Sequence, residues 1–218
     1  MLMSTSILER LFSTLQKIIF KQIGKKIPTN ALKNIMDLFF MLFEKVGCKF
    51  EVISEIYLKL YQEIVTKEIT MAQISDQDRV LVIGSGSLPA TPAIIAQNTH
   101  AQTISIDKDC TAVKEAMQYV TAHHLEQTLS IQYANGLTYP VGEFTVIVVL
   151  YGVKQPTELF SHLADHIDQK TRVIYRTITD THGRIKDKTL DISQHFLIKN
   201  QIHTETLGSL ESFLLMKK

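Results

Sequence analysis

Gly84-Ser85-Gly86-Ser87-Leu88-Pro89 directly follows the apolar run 80–83 and precedes a helical pattern. Two glycines one residue apart let the chain turn sharply and bring its backbone close to a ligand, while the first N–H groups of the following helix point at the same place. A lone G-x-G is a weak signal. It gains weight from Asp107, which closes the next apolar run 21 residues after Gly86. An acidic side chain there can accept hydrogen bonds from both hydroxyls of a ribose. The candidate nucleotide site therefore comprises Gly84, Ser85, Gly86, Leu88, Asp107 and Lys108, with Asn135 and Gly136 after the third apolar run. The Asn135 amide can hydrogen-bond an adenine edge, although an Asn-Gly pair serves equally well as a plain turn.

Two further residues sit where a second reactant would lie. In a parallel sheet with helices on both faces, ligands bind outside the carboxyl ends of the strands, and Tyr151 and Arg176 fall at the ends of the fourth and fifth strand patterns. Tyr151 can orient a nucleophile through its hydroxyl, and Arg176 can hold a carboxylate with two parallel hydrogen bonds. A strand-end tyrosine is often packing, and an arginine is often an ion-pair partner. His162 and His166 share a helix face four residues apart but have no third ligand at telling spacing, so no metal is expected there. No GxSxG elbow, Walker A loop or helical HExxH is present, which leaves hydrolase and kinase readings without support.

The elements that must position these residues change character along the chain. Residues 1–75 read as helices: Leu8, Leu11, Phe12, Leu15, Ile18 and Ile19 recur at helical spacing, and a second helix is expected from about Asn30 to Gly47. A third places Ile53, Ile56, Tyr57, Leu60, Tyr61, Ile64 and Glu68 on one face. From Arg79 onward, short β-branched runs at 80–83, 103–106, 129–133, 144–150 and 172–178 alternate with helical stretches near 89–98, 110–124 and 156–167. That alternation predicts βαβ units in a Rossmann-like, doubly wound α/β sheet. Residues 202–207 and 212–216 read as two last strands around Gly208-Ser209, giving a seven-stranded sheet that ends in an antiparallel hairpin. The expected division is an N-terminal helical segment, 1–75, acting as cap or interface, and a nucleotide-binding domain, 76–218.

A nicotinamide dinucleotide would use the same glycine turn and ribose-binding acid. Against it, the third position of the dinucleotide fingerprint is Pro89, and nothing downstream supplies a separate substrate domain. The text VLVIGSGSLPATPAII from Val80 resembles motif I of the class I S-adenosylmethionine-dependent methyltransferases, and the closing hairpin is similar to that superfamily's reversed seventh strand. Within it the nicotianamine synthase branch is the nearer likeness. LYGVKQPTELFSHLADHI, from Leu150, is similar to that branch's HLA helix, and RTITDTHGR, from Arg176, to its R-S-A-H-G-x-R strand end. There are departures: Val82 stands where many methyltransferases carry an acid, Asn135 replaces an aspartate, and Glu63 lies one residue out of register with the branch's substrate-contacting glutamate. No catalytic role is transferred to Glu63.

The resemblance implies S-adenosylmethionine as cofactor and a small-molecule acceptor. Methyl transfer is the first expectation and transfer of the cofactor's 3-amino-3-carboxypropyl arm the second. A nicotinamide-dependent or non-catalytic nucleotide-binding module comes third. Because the sulfonium carries the reactivity, the protein need only bind, align and exclude water.

Composition narrows the class further. With 218 residues, 45% of them hydrophobic, the chain can bury a sizeable core. The net charge of +1 divides into +3 over residues 1–75, from ten basic and seven acidic side chains, and −2 over the rest, from thirteen and fifteen. No broad positive field is present to hold nucleic acid. Cys48 and Cys110 form no CxxC pair and are expected as buried thiols in a reducing cytoplasm. Glu9, Arg10, Lys17 and Lys21 interrupt the apolar stretch 7–23, so neither a signal peptide nor a membrane span is expected. The apolar helical segment leaves a homo-oligomer open as an expectation.

Overall fold

The computed structural model describes residues 51–178, 192–204 and 210–218. The two helices expected before residue 50 lie outside them. Helix α1 spans Glu51–Ala72, and it is followed by β1 (Arg79–Ile83), α2 (Ala90–Thr99), β2 (Gln102–Asp107), α3 (Cys110–Ala122) and β3 (Leu129–Tyr133). Strand β4 (Val146–Val149), α4 (Pro156–His166), β5 (Arg172–Ile178), β6 (Phe196–Thr204) and β7 (Leu210–Lys217) complete it. The sheet has seven strands in the order β3-β2-β1-β4-β5-β7-β6. The first five are parallel, and β7 runs antiparallel between β5 and β6.

The central strands are apolar on both faces because both faces are covered. Val80 and Val82 of β1 point into a core shared with α1, α2 and α3, and Leu81 and Ile83 point into one shared with α4, Phe144 and Phe213. Side chains in a strand alternate sides, so a four-residue run of Val, Leu and Ile feeds two cores. Helix α2 lies between α1 and the sheet, and eight of its ten residues are buried, which explains its lack of a polar face. Asp109 caps α3 by accepting from the N–H groups of Thr111, 2.8 Å, and Ala112, 3.4 Å.

Two boundaries and one burial differ from expectation. Strand β4 is shorter than 144–150, because Phe144 and Thr145 belong to the turn that enters it. Strand β6 begins at Phe196 instead of residue 202, and the turn expected at 208–209 lies outside the described residues. Cys110, expected to be buried, is an exposed free thiol at the first turn of α3, and Cys48 falls outside the described residues.

Candidate active site: two cavities sharing one wall

At the carboxyl end of β1 the glycine loop does what its composition allows. Gly84 and Gly86 take φ values of +92° and +65°, backbone conformations that L side chains rarely adopt. The Gly84 N–H donates to the Ile106 carbonyl of β2 at 2.8 Å, tying the loop to the neighbouring strand. Pro89 stands at the N-cap of α2, one residue before its first turn.

Asp107 closes the loop from the other side. One carboxylate oxygen accepts the Gly86 N–H at 2.9 Å and the other accepts the Asp109 N–H at 2.9 Å. A carboxylate offers about four lone-pair directions, so acceptor capacity remains for a ribose. Asp107 therefore shapes the loop and faces the ligand space at once.

A cavity of about 370 Å³ opens between this loop and the ends of β2 and β3. Among the expected site residues, Gly84, Gly86, Asp107, Lys108, Asn135 and Gly136 line it, and Tyr151 stands on its far wall. Ile83, Ile106, Ala112, Leu137 and Leu159 give it apolar surface. The Asn135 side-chain oxygen accepts the Leu137 N–H at 3.1 Å, so the amide forms a local turn, while its NH2 group and the oxygen's second lone pair stay available. Gly136 is needed for packing: a Cβ there would sit 2.9 Å from Ile83 Cγ2.

A second cavity, of about 450 Å³, lies on the α1 side of the same loop. Ser85 and Leu88 line this cavity instead of the first. Tyr57, Tyr61, Thr91, Leu150, Arg176 and Leu210 form much of the rest. The two cavities share Gly84, Tyr151, Gly152 and Lys154. Gly152 has φ +106°, and this turn after β4 carries Tyr151 and Lys154 to the partition.

Arg176 is in the second cavity's wall, but its fork is occupied. Nε and Nη2 donate to the two carboxylate oxygens of Glu68 at 2.9 and 2.5 Å, and Nη1 donates to Thr91 Oγ1 at 3.0 Å. Ser212 of β7 donates to the same Glu68 carboxylate. Arg176 and Glu68 are 2% and 0% exposed. Burial by itself pulls the guanidinium toward neutrality, but the adjacent Glu68 charge and hydrogen bonds hold it above its ordinary value. The expectation that Arg176 grips a substrate carboxylate with both prongs is corrected: that geometry is used inside the protein. What remains for Arg176 is to position α1, whose Tyr61 ring lies 5.5 Å from its Cζ and whose Tyr57 hydroxyl donates to Tyr61 Oη at 3.2 Å.

Other candidate groups are structural. Glu63 is on the solvent face of α1, paired with Lys67 at 2.6 Å. His162 Nε2 meets the Tyr139 carbonyl at 2.9 Å and His166 Nδ1 the His162 carbonyl at 2.8 Å. No group of metal-ligating side chains is found among the described residues, nor is any helix there long and apolar enough to cross a membrane. Sequence reasoning passed over Lys154, Gly152, Tyr57, Tyr61 and the partner role of Glu68. The dipeptide Tyr151-Gly152 after a buried strand was the one local signal for the first two.

The strand order, the reversed β7 and the glycine loop define the class: this is the Rossmann-like fold of the class I S-adenosylmethionine-dependent methyltransferases. No family model matches the chain. Among solved structures, a point mutant of the nicotianamine synthase MtNAS is similar over 99% of this chain and 90% of its own, with TM-score 0.78 and 17% identity. The same mutant in complex with S-adenosylmethionine gives 0.77 at 17% identity over 99% and 92%. An RNA methyltransferase from Salinibacter ruber, in complex with S-adenosyl-L-homocysteine, gives 0.58 at 15% identity over 72% of this chain and 92% of that one. In sequence, the chain is 26% identical over 121 residues to an L-histidine 2-aminobutanoyltransferase of Yersinia pestis. That match takes in 55% of this chain and 45% of the relative, so it spans less than half the relative's length.

Proposed function

We propose that this chain is an S-adenosylmethionine-dependent transferase that moves the 3-amino-3-carboxypropyl arm to a small-molecule acceptor. The observation that carries the reading is the pair of cavities meeting at Gly84, Tyr151, Gly152 and Lys154, one suited to a nucleoside and the other roofed by α1. The likeness to MtNAS runs over 99% of the chain, whereas the RNA methyltransferase likeness stops at 72%. The Yersinia pestis relative is named for the same kind of transfer, to L-histidine. These points reverse the order of the two reactions expected from the sequence.

The residues fit the cofactor. Asp107 keeps acceptor capacity for the ribose, Asn135 lines the same cavity with its NH2 group able to meet an adenine edge, and Ile83, Ile106 and Leu159 supply apolar wall for the base. When bound, the sulfonium makes its attached carbons electrophilic. An acceptor lone pair then forms a bond to the arm's γ-carbon, the carbon–sulfur bond breaks with its electrons going to sulfur, and the acceptor's proton leaves to water. The chain's part is alignment. Among its described residues the second cavity presents tyrosine hydroxyls and the Lys154 ammonium but no carboxylate, which favours an unprotonated nitrogen over a hydroxyl that needs a strong base.

Incubating the protein with S-adenosylmethionine and a panel of free amino acids, with mass spectrometry of the nucleoside product, decides the matter. Methylthioadenosine as main product is expected. S-adenosylhomocysteine as main product would replace arm transfer by methyl transfer.

A further inference from the structure

The partition between the cavities contains a single charged side chain among the described residues, Lys154. Of the other charged groups on the two walls, all but Lys108 already hold protein partners, Asp107 with acceptor capacity to spare. Asp107 and Asp109 accept backbone N–H groups of the glycine loop and of α3, and Arg176 is locked to Glu68. Lys154 is exposed and, among the described residues, has no ion pair or hydrogen bond. Lys108 lines only the first cavity, beside the ribose-facing Asp107.

A second polar group on the loop is unsatisfied. Ser85 is 5% exposed, and its buried hydroxyl has no hydrogen-bond partner among the described residues. Buried polar atoms are rarely left so, because desolvation goes uncompensated where no bond is made. Ser85 and Lys154 both line the second cavity, and Gly84, next to Ser85, is on the shared partition.

We propose that Lys154 is the residue that recognises the carboxylate of the transferred arm, with Ser85 as its neutral helper, so that the partition selects the arm over the methyl group. This rests on the transferase reading above. A cation at the partition can hold the carboxylate while the arm belongs to the nucleoside and after it belongs to the acceptor, because the same anion passes from one cavity to the other. Lysine suits this better than arginine would: a compact ammonium on a flexible stem follows a moving anion, whereas a planar fork fixes one geometry. The nucleoside half is held by other residues, so the two halves of the ligand are recognised separately.

Calorimetry with three ligands separates the halves. Methylthioadenosine lacks the arm, S-adenosylmethionine carries it with its carboxylate, and decarboxylated S-adenosylmethionine carries the arm without it. For the unaltered protein, S-adenosylmethionine is expected to bind tightest of the two sulfonium ligands. In Lys154→Met its affinity falls roughly tenfold or more, the loss of one charge-assisted hydrogen bond, while methylthioadenosine and the decarboxylated ligand bind as before. Lys154→Arg restores most of the preference. Equal loss for all three ligands, or no loss for S-adenosylmethionine, overturns the assignment of Lys154. Failure of methylthioadenosine to bind even the unaltered protein overturns the nucleoside site itself, a different result.

Discussion

Glu68 and Arg176, 108 residues apart in sequence, form a two-pronged ion pair in a region that excludes water. Glu68 belongs to α1 and Arg176 to β5, and Thr91 of α2 and Ser212 of β7 complete the hydrogen bonding. Four elements thus meet on one carboxylate–guanidinium pair at the edge of the second cavity. A buried pair of this kind offers little net stability over apolar residues of equal volume, but breaking it leaves a bare charge, which costs about 3–5 kcal/mol. Glu68→Leu should therefore lower the unfolding free energy by roughly that amount. The double variant Glu68→Leu with Arg176→Met should recover a substantial part of the loss in urea unfolding. A double variant no more stable than Glu68→Leu would show that the pair does not act as a unit.

Acid stability should be controlled at the opposite end of the sheet. Burial pushes the Asp78 carboxyl up, but the Ser75 N–H, the Thr145 hydroxyl and Arg172 outweigh it and hold the group below its ordinary value of 3.8. Arg172 in turn donates to the carbonyls of Ala72 and Gln73, so the cluster pins the end of α1 to β5. A depressed carboxylate stabilises the fold above its unfolded value, and that contribution disappears as pH falls through the folded one. Melting temperature should fall steeply below about pH 4 in the unaltered protein and less steeply in Asp78→Asn, which starts lower at neutral pH. Parallel pH profiles for the two would remove Asp78 from the acid response.

What the sequence disclosed was local. The glycine turn and Asp107 depend on neighbouring residues and on one strand-to-strand step, so their types and spacing carried their roles. Lys154 was overlooked because a lysine five residues past a strand looks like any solvated loop cation until two cavities are seen to share it. Arg176 was expected at a strand end but lies inside β5, paired across from Ser212, and its partner Glu68 lies on a helix whose packing no short-range pattern specifies. The start of β6 was misplaced because the strand is at the sheet edge, largely exposed, and bulged between Ile198 and Asn200, which erases the alternation that marks a half-buried strand. The exposure of Cys110 goes with its place at the first residue of α3, among the exposed residues 108–111.

Asp107 has two duties, and its substitution should show both. Its carboxylate fixes the glycine loop through the Gly86 N–H and the start of α3 through the Asp109 N–H, and its remaining lone pairs face the nucleoside cavity. Asp107→Ala removes the ribose acceptor and frees the loop, so S-adenosylmethionine and methylthioadenosine should lose affinity together, by about tenfold or more at ~1.4 kcal/mol per decade. Asp107→Asn should do little better, because an amide can present its oxygen to only one of the two backbone donors while its NH2 opposes the other. This common loss contrasts with the loss confined to S-adenosylmethionine expected for Lys154→Met. Calorimetry on folded Asp107→Ala that returned unchanged affinity for methylthioadenosine would take Asp107 out of the nucleoside site and leave it as a loop brace alone.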